Sequence, residues 1–102
     1  MQLNIDEFEV VNNTDARRFE VQIGDHLALI DYIRNEERIV FTHTGVPEAI
    51  GHQGVASKMA RSALDYARAN DLKVIPQCPF VAGFIGRNPE YQSLVWNPRS
   101  QA

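Results

Sequence analysis

The stretch from Thr44 to Leu64 constrains this chain most. An extended apolar run, Arg38–Thr44, leads into a turn at Gly45 and Pro47. A loop carrying Gly51 and Gly54 follows, and then at once a helical pattern. Strand, glycine-bearing loop and helix N-terminus, in that order, form an anion-binding device. Glycine lets backbone approach a ligand closely. The first N–H groups of a helix lack intrahelical acceptors, and the helix dipole favours negative charge there. The expected guest is a phosphate or pyrophosphate. The spacing is not that of a Walker loop, because Val55 and Ala56 follow Gly54, and it is not the dinucleotide Gly-x-Gly-x-x-Gly. The plainer reading of the same residues is a strand-to-helix turn without a ligand.

Length and charge narrow the alternatives. A chain of 102 residues has room for one domain with one core, expected to span residues 1–102. Its net charge of −3 and pI of about 5.5 give no general polyanion surface, so no nucleic-acid partner is expected and an anionic ligand needs a local site. Cys78 is the only cysteine, which excludes an internal disulfide framework and a Cys-rich zinc site. A reducing, cytoplasmic compartment is the default for such a chain. Met1–Phe8 is neither basic nor apolar enough for a signal peptide, and no run approaches a membrane span, so no membrane partner is expected. Asp65 with Glu36 or Glu37 shows no ligand spacing, and no metal site is assigned.

Along the chain, Phe8–Asn12 reads as a short first strand and Asn12–Asp15 as a turn. Arg17–Ile23 alternates, with Phe19, Val21 and Ile23 on one face, as a half-buried strand does. Gly24-Asp25 signals a hairpin. His26–Arg34 reads as a strand covered on both faces, since Leu27, Leu29 and Ile33 oppose Ala28, Ile30 and Tyr32. Asn35–Glu37 turns the chain into the strand Arg38–Thr44. Four strands with short turns imply an antiparallel meander. The helix runs from about Gly54 to Asn70, with Ala56, Met59, Ala60, Ala63, Leu64 and Ala67 at apolar spacing. Lys58 and Arg61 read as a solvated face or as phosphate contacts, and Arg61 can pair with Asp65 at i, i+4. Leu72–Pro76 is a fifth strand, entered through a helix and so able to lie parallel to the fourth. Pro79 opens a second helix, whose apolar face is Phe80, Val81, Phe84 and Ile85, and Asn88-Pro89 ends it. Tyr91–Trp96 forms a last strand or an arm, with Trp96 as an anchor, and Arg99–Ala102 frays.

Cys78 stands just before the second helix. A helix N-terminus lowers a thiol's pKa and makes it a competent nucleophile. A lone cysteine also serves as a small buried hydrophobe, and position does not separate the two roles. His43, mid-strand, is either a base or a satisfied strand histidine. His26, after a turn, reads as surface.

Several motifs taken together look like one family. These are His43-Thr44-Gly45-Val46-Pro47, the loop Gln53-Gly54-Val55-Ala56-Ser57, Ala63-Leu64-Asp65-Tyr66-Ala67-Arg68, Gln77-Cys78-Pro79-Phe80-Val81, and Arg87-Asn88-Pro89-Glu90-Tyr91. They resemble the small stand-alone GNAT-like N-acetyltransferases, with a Cys-Pro-Phe-Val motif. Gly51-His52-Gln53-Gly54-Val55-Ala56 is similar to that family's pyrophosphate loop, Gln/Arg-x-x-Gly-x-Gly/Ala, in its last three positions. The resemblance spans about Asp6 to Val95.

The resemblance implies a minimal GNAT acyl-CoA N-acyltransferase fold of the α/β (α+β) class. Its mixed, mostly antiparallel sheet is splayed between strands four and five, with two main helices. It implies acetyl-CoA as co-substrate, its pantetheine on the strand-four backbone at Thr44 and Val46 and its pyrophosphate on Gln53, Gly54, Val55, Ala56 and Ser57. Cys78 and His43 become the catalytic candidates. The implied partner is an amine acceptor, small molecule or protein amine, and the implied state a monomer or weak homodimer. Departures from the family pattern accompany the matches. Gly51 replaces a cationic or amide residue, Gly45 replaces a frequent Glu, and Phe84 is the nearest aromatic where larger members place a Tyr acid. Only Asn13–Ala16 bridges the first two strands, where larger members insert helices. Two mechanisms follow, direct amine attack or transfer through Cys78. A CoA-binding module without transferase activity, or an interaction domain without ligand, are the rival readings.

Overall fold

The computed structural model describes residue 4 and residues 6–98. Arg99–Ala102, expected to fray, and most of the Met1–Ile5 segment lie outside the described residues. Strands β1 (Val11–Asn13), β2 (Arg18–Ile23), β3 (His26–Arg34), β4 (Arg38–Gly45) and β5 (Lys73–Pro76) form one sheet in sequence order. The first four pair antiparallel, and β4 and β5 pair parallel. Helix α1 (Val55–Ala69) makes the crossover between β4 and β5, and helix α2 (Pro79–Arg87) follows β5.

Local chemistry accounts for most of this. Ile23 opposes His26 across a two-residue turn in which Gly24 has φ 58°, a conformation that suits glycine. Asn35 Oδ1 accepts the N–H groups of Glu37 and Arg38 at 2.8 Å each and fixes the next turn. Gly54 and Asn70 flank α1, and Pro79 stands at the first position of α2.

The core lies between one face of the sheet and the helices. Ala28, Ile30 and Tyr32 of β3 are buried there, together with Met59, Leu64 and Ala67 of α1. Val55 rather than Ala56 starts the buried stripe of α1. The other face of β3 is open: Ile33 is 57% exposed, so this strand is covered on one side and not on both. The first strand is also shorter and later than Phe8–Asn12. Phe8 and Val10 instead pack against the core as partly buried residues ahead of β1. Pro89–Leu94 winds as a 3-10 turn, and Val95 then bridges Val74 in a short parallel contact. Trp96 donates its backbone N–H to Val74 O at 2.8 Å and lies under the Arg38 guanidinium.

The cations of α1 have protein partners, although Arg61 and Arg68 remain half exposed. Lys58 Nζ donates to Phe8 O at 2.6 Å. Arg61 donates to the Tyr91 hydroxyl and to Asn88 Oδ1. Asp65 pairs not with Arg61 but with Arg68, and accepts the Tyr91 hydroxyl at 2.9 Å. Burial, and then Asp65, hold Tyr91 above the ordinary phenol range, against the pull of Arg61. A phenol raised by folding binds its proton more tightly in the folded state. Its stabilisation is therefore complete below the unfolded value near pH 10 and is lost as pH rises through the folded value. Denaturation midpoints measured from pH 8 to 11 should fall at the alkaline end, and Tyr91→Phe should flatten that fall.

Candidate functional site

The β4–β5 ladder ends early. It runs from Arg38↔Lys73 to Phe41↔Pro76, although β4 continues to Gly45. Gln77 N–H turns back onto Ile75 O at 3.1 Å, and Cys78 N–H takes Phe41 O instead, at 2.9 Å. From that vertex the two strands part. Thr42–Gly45 is left without a strand partner on its β5 side, so its backbone groups are available to an extended ligand.

A cleft of about 440 Å³ opens beyond the end of β4. Val46 lies on one wall and Gly54, Val55, Ala56 and Ser57 on another. Gly54, the residue before α1, has φ 88° and offers no side-chain cap. The first intrahelical bond there is Lys58 N–H to Gly54 O. The N–H groups of Val55, Ala56 and Ser57 therefore have no acceptor within the helix. This first turn can receive an anion's oxygens, and the dipole assists.

Five of the expected cofactor-binding residues line this cleft, but Thr44 and Gln53 do not. Thr44 Oγ1 instead sits 3.0 Å from Cys78 Sγ, and either group can donate. Gly51 and His52, part of the loop motif, also line it, and sequence reasoning missed Glu48, Ile50 and Phe80, which complete the lining. After the turn read at Gly45 and Pro47, Glu48–Ile50 forms a 3-10 turn, and Ile50, fully buried, pins it to the core. His52 takes φ 60°. Phe80 was assigned to the apolar face of α2, and its contact with Phe84 at 6.4 Å between ring centres agrees with that. It is only partly buried and also faces the cleft. An apolar residue at the first turn of a helix beside a glycine loop was the one available signal.

The two catalytic candidates lie on opposite faces of the sheet. Thr42 is an extra residue in β4: Tyr32 pairs with Phe41, and Asp31 pairs with His43. Such a bulge reverses the alternation beyond it. His43 therefore joins Asp31 on the open face and is exposed. Thr44 pairs with the buried Ile30 and faces the core beside Cys78. Cys78 is 3% exposed, the buried one of the two roles that its position left open, and its side chain makes no cap bond to α2. A Cβ at Gly45 would lie 3.4 Å from His43 Nε2. The imidazole thus borders the space that a Glu side chain at this position would enter. Phe84 is 4% exposed and carries no hydroxyl. The Tyr91 hydroxyl is held by Asp65 and Arg61 on α1.

Among the described residues, no group of three or more His, Cys, Asp or Glu side chains is placed to hold a metal ion, and no helix is long and apolar enough to cross a membrane.

Known proteins share this arrangement. A GCN5-like protein from Staphylococcus aureus, solved by NMR in solution, superposes with a TM-score of 0.66 at 30% identity, covering 87% of this chain and 88% of that one. Protein NATD1 of Homo sapiens is 35% identical over 90 residues, which is 83% of this chain and 78% of that protein. Protein NATD1 of Danio rerio is 29% identical over 89 residues, 83% of this chain and 80% of that protein. The sequence profile described as GCN5-related N-acetyl-transferase matches residues 18–94. With the five-stranded sheet, its parallel β4–β5 pair and the fold-level match in agreement, the chain belongs to the GCN5-related N-acetyltransferase family.

Proposed function

We propose that this protein transfers an acetyl group from acetyl-CoA to an amine by direct attack. The observation that carries the reading is the parting of β4 and β5 at Phe41 beside the Gly54–Ser57 helix entry. Pantetheine fits as an extended partner for the β4 edge at Thr42–Val46, and the pyrophosphate fits on the N–H groups at Gly54–Ser57.

The acceptor amine comes to the acetyl carbonyl from the open face of the sheet. The opposite side is filled by Phe41, Cys78 and Val81, all buried. The amine nitrogen bonds to the carbonyl carbon, the carbon–sulfur bond breaks, and CoA leaves as thiolate. The amine's proton goes to His43 or to water and then to that thiolate. Backbone N–H groups on the β4 edge stabilise the charge that develops on the carbonyl oxygen. Cys78 packs at the vertex rather than carrying the acetyl group.

Cys78→Ala then lowers transfer by less than about tenfold, under ~1.4 kcal/mol of barrier. Alkylation of Cys78 is slow and is slowed further by acetyl-CoA. Intact-mass analysis after incubation with acetyl-CoA shows no acetyl adduct on this residue. A mapped adduct with loss of turnover in Cys78→Ala would replace direct attack by the covalent route.

One observation favours a second reading, a CoA-binding module without turnover. No phenol hydroxyl is directed at the thiolate position, since Phe84 has none and Tyr91 is bonded to Asp65. Calorimetry with acetyl-CoA tests binding. Mass-detected acetylation of a panel of polyamines, amino acids and lysine peptides tests turnover. Binding without any acetylated amine selects the module, and absence of binding removes both readings.

A further inference from the structure

We propose a second ligand site at the far end of the sheet, built on Arg17 and Arg34, for a small molecule with an oxyanion head and an apolar ring. A cavity of about 380 Å³ lies there, lined by Thr14, Arg17, Tyr32, Ile33, Arg34 and Tyr66. Its size falls within the range of small-molecule sites. It is remote from the cleft at α1. Arg34 pairs with Ile39 at the start of β4, whereas the cleft begins at Val46. Seven residues of strand at ~3.3 Å each separate the two by roughly 23 Å.

The charge pattern points to an anion. The chain carries a net charge of −3, yet no carboxylate lines this cavity and two guanidinium groups belong to it. Arg34 donates Nε–H to Asn35 O at 3.1 Å and Nη1–H to the Tyr66 hydroxyl, and it lies over the Tyr66 ring at 5.7 Å. A guanidinium has five N–H donors, so three remain for a ligand. The Arg17 side chain has no hydrogen-bond or ion-pair partner among the described residues, in contrast with Arg18, which pairs with Glu20. Its backbone is fixed all the same. Arg17 takes φ 58°, its N–H reaches Thr14 O at 3.3 Å, and its carbonyl accepts Tyr32 N–H at 2.9 Å. A left-handed conformation is unusual for a residue with a side chain. Two like charges beside one cavity repel, and an oxyanion between them converts that repulsion into two attractions.

The apolar side of the ligand follows from the rings of Tyr32 and Tyr66, which share the face of the sheet that α1 covers. Tyr32 is buried, and its hydroxyl is committed to Asn12 Oδ1 at 2.7 Å. Burial, then Tyr66, raise Tyr32 above the ordinary phenol value, so it offers a neutral ring and no charge. An aryl phosphate and an aryl carboxylate share the required chemistry.

Amide NMR of the full ¹⁵N-labelled chain tests this at physiological ionic strength. The probes are phenyl phosphate, benzoate and inorganic phosphate. Saturable shifts are expected at Thr14, Arg17, Ile33, Arg34 and Tyr66, with a midpoint that differs from any at Val46 and Gly54 and is unchanged in Gly54→Asp. At least one aryl probe should bind more tightly than inorganic phosphate. Arg17→Ala, which removes no contact of the fold, should weaken that probe about tenfold, and Arg17→Lys less. The tighter aryl probe identifies the head group as phosphate or carboxylate. Non-saturating shifts, shifts confined to the α1 cleft, no preference for the aryl probes, or unchanged affinity in Arg17→Ala would each overturn the site.

Discussion

Gly54→Asp is expected to abolish acetyl-CoA binding while circular dichroism remains that of the wild type. Gly54 enters α1 with φ 88° and lines the cleft at the point where the first-turn N–H groups converge. A carboxylate there acts in two ways. It takes those N–H groups for itself, as capping carboxylates do. It also faces the pyrophosphate at short range. Two unit charges 4 Å apart repel by about 4 kcal/mol at an effective dielectric of 20, roughly a thousandfold in Kd. Gly54→Asn separates the causes, because Asn tolerates the left-handed region and matches Asp in size without its charge. Calorimetry should place Asn between wild type and Asp. Equal affinity in all three proteins would remove the phosphate from this loop.

Leu64→Ala should cost roughly 2–5 kcal/mol of stability, the range for truncating a fully buried leucine. Leu64 has no exposed surface, midway along α1 in the layer facing the sheet. Small domains have only about 5–15 kcal/mol in total. Each kcal/mol lowers the melting temperature by roughly 4–8 °C at this size. A loss below ~1 kcal/mol in chemical denaturation would mean that α1 packs less tightly than its burial indicates. The variant should still bind acetyl-CoA at temperatures where it stays folded, since Leu64 lines no part of the cleft.

What the sequence revealed is what local chemistry controls. His26–Arg34, the Gly24-Asp25 turn, the start of α2 at Pro79 and the span of α1 are written in alternation, caps and breakers, and the structure follows them. The residues that went astray depend on distant partners. Lys58 reaches Phe8 and Arg61 reaches Tyr91, contacts that helix periodicity does not encode. The first strand was misplaced because Phe8 and Val10 are apolar for the sake of the core and not of a ladder. His43 shows the limit most clearly. Plain alternation puts it on the face of Phe41, and one extra residue at Thr42 puts it on the other. Nothing local in Phe41-Thr42-His43 announces that bulge. In the candidate site, the glycine loop was legible because Gly54 is required by backbone geometry. Phe80 and the Glu48–Ile50 turn were not, because their place in the cleft is set by packing.

The short contact between Val95 and Val74 has a bearing on solubility. A sheet ordered β1 to β5 has two rims, and an unpaired rim is a template for joining another molecule. At one rim β1 is only three residues long. At the other, Trp96 N–H already occupies Val74 O, and Pro76 has no N–H to donate. A version of the chain trimmed before Val95 would uncover the parallel rim of β5 while leaving the helices in place. The segment after α2 therefore works as a guard against polymerisation, a duty separate from any chemistry at the other end of the strand.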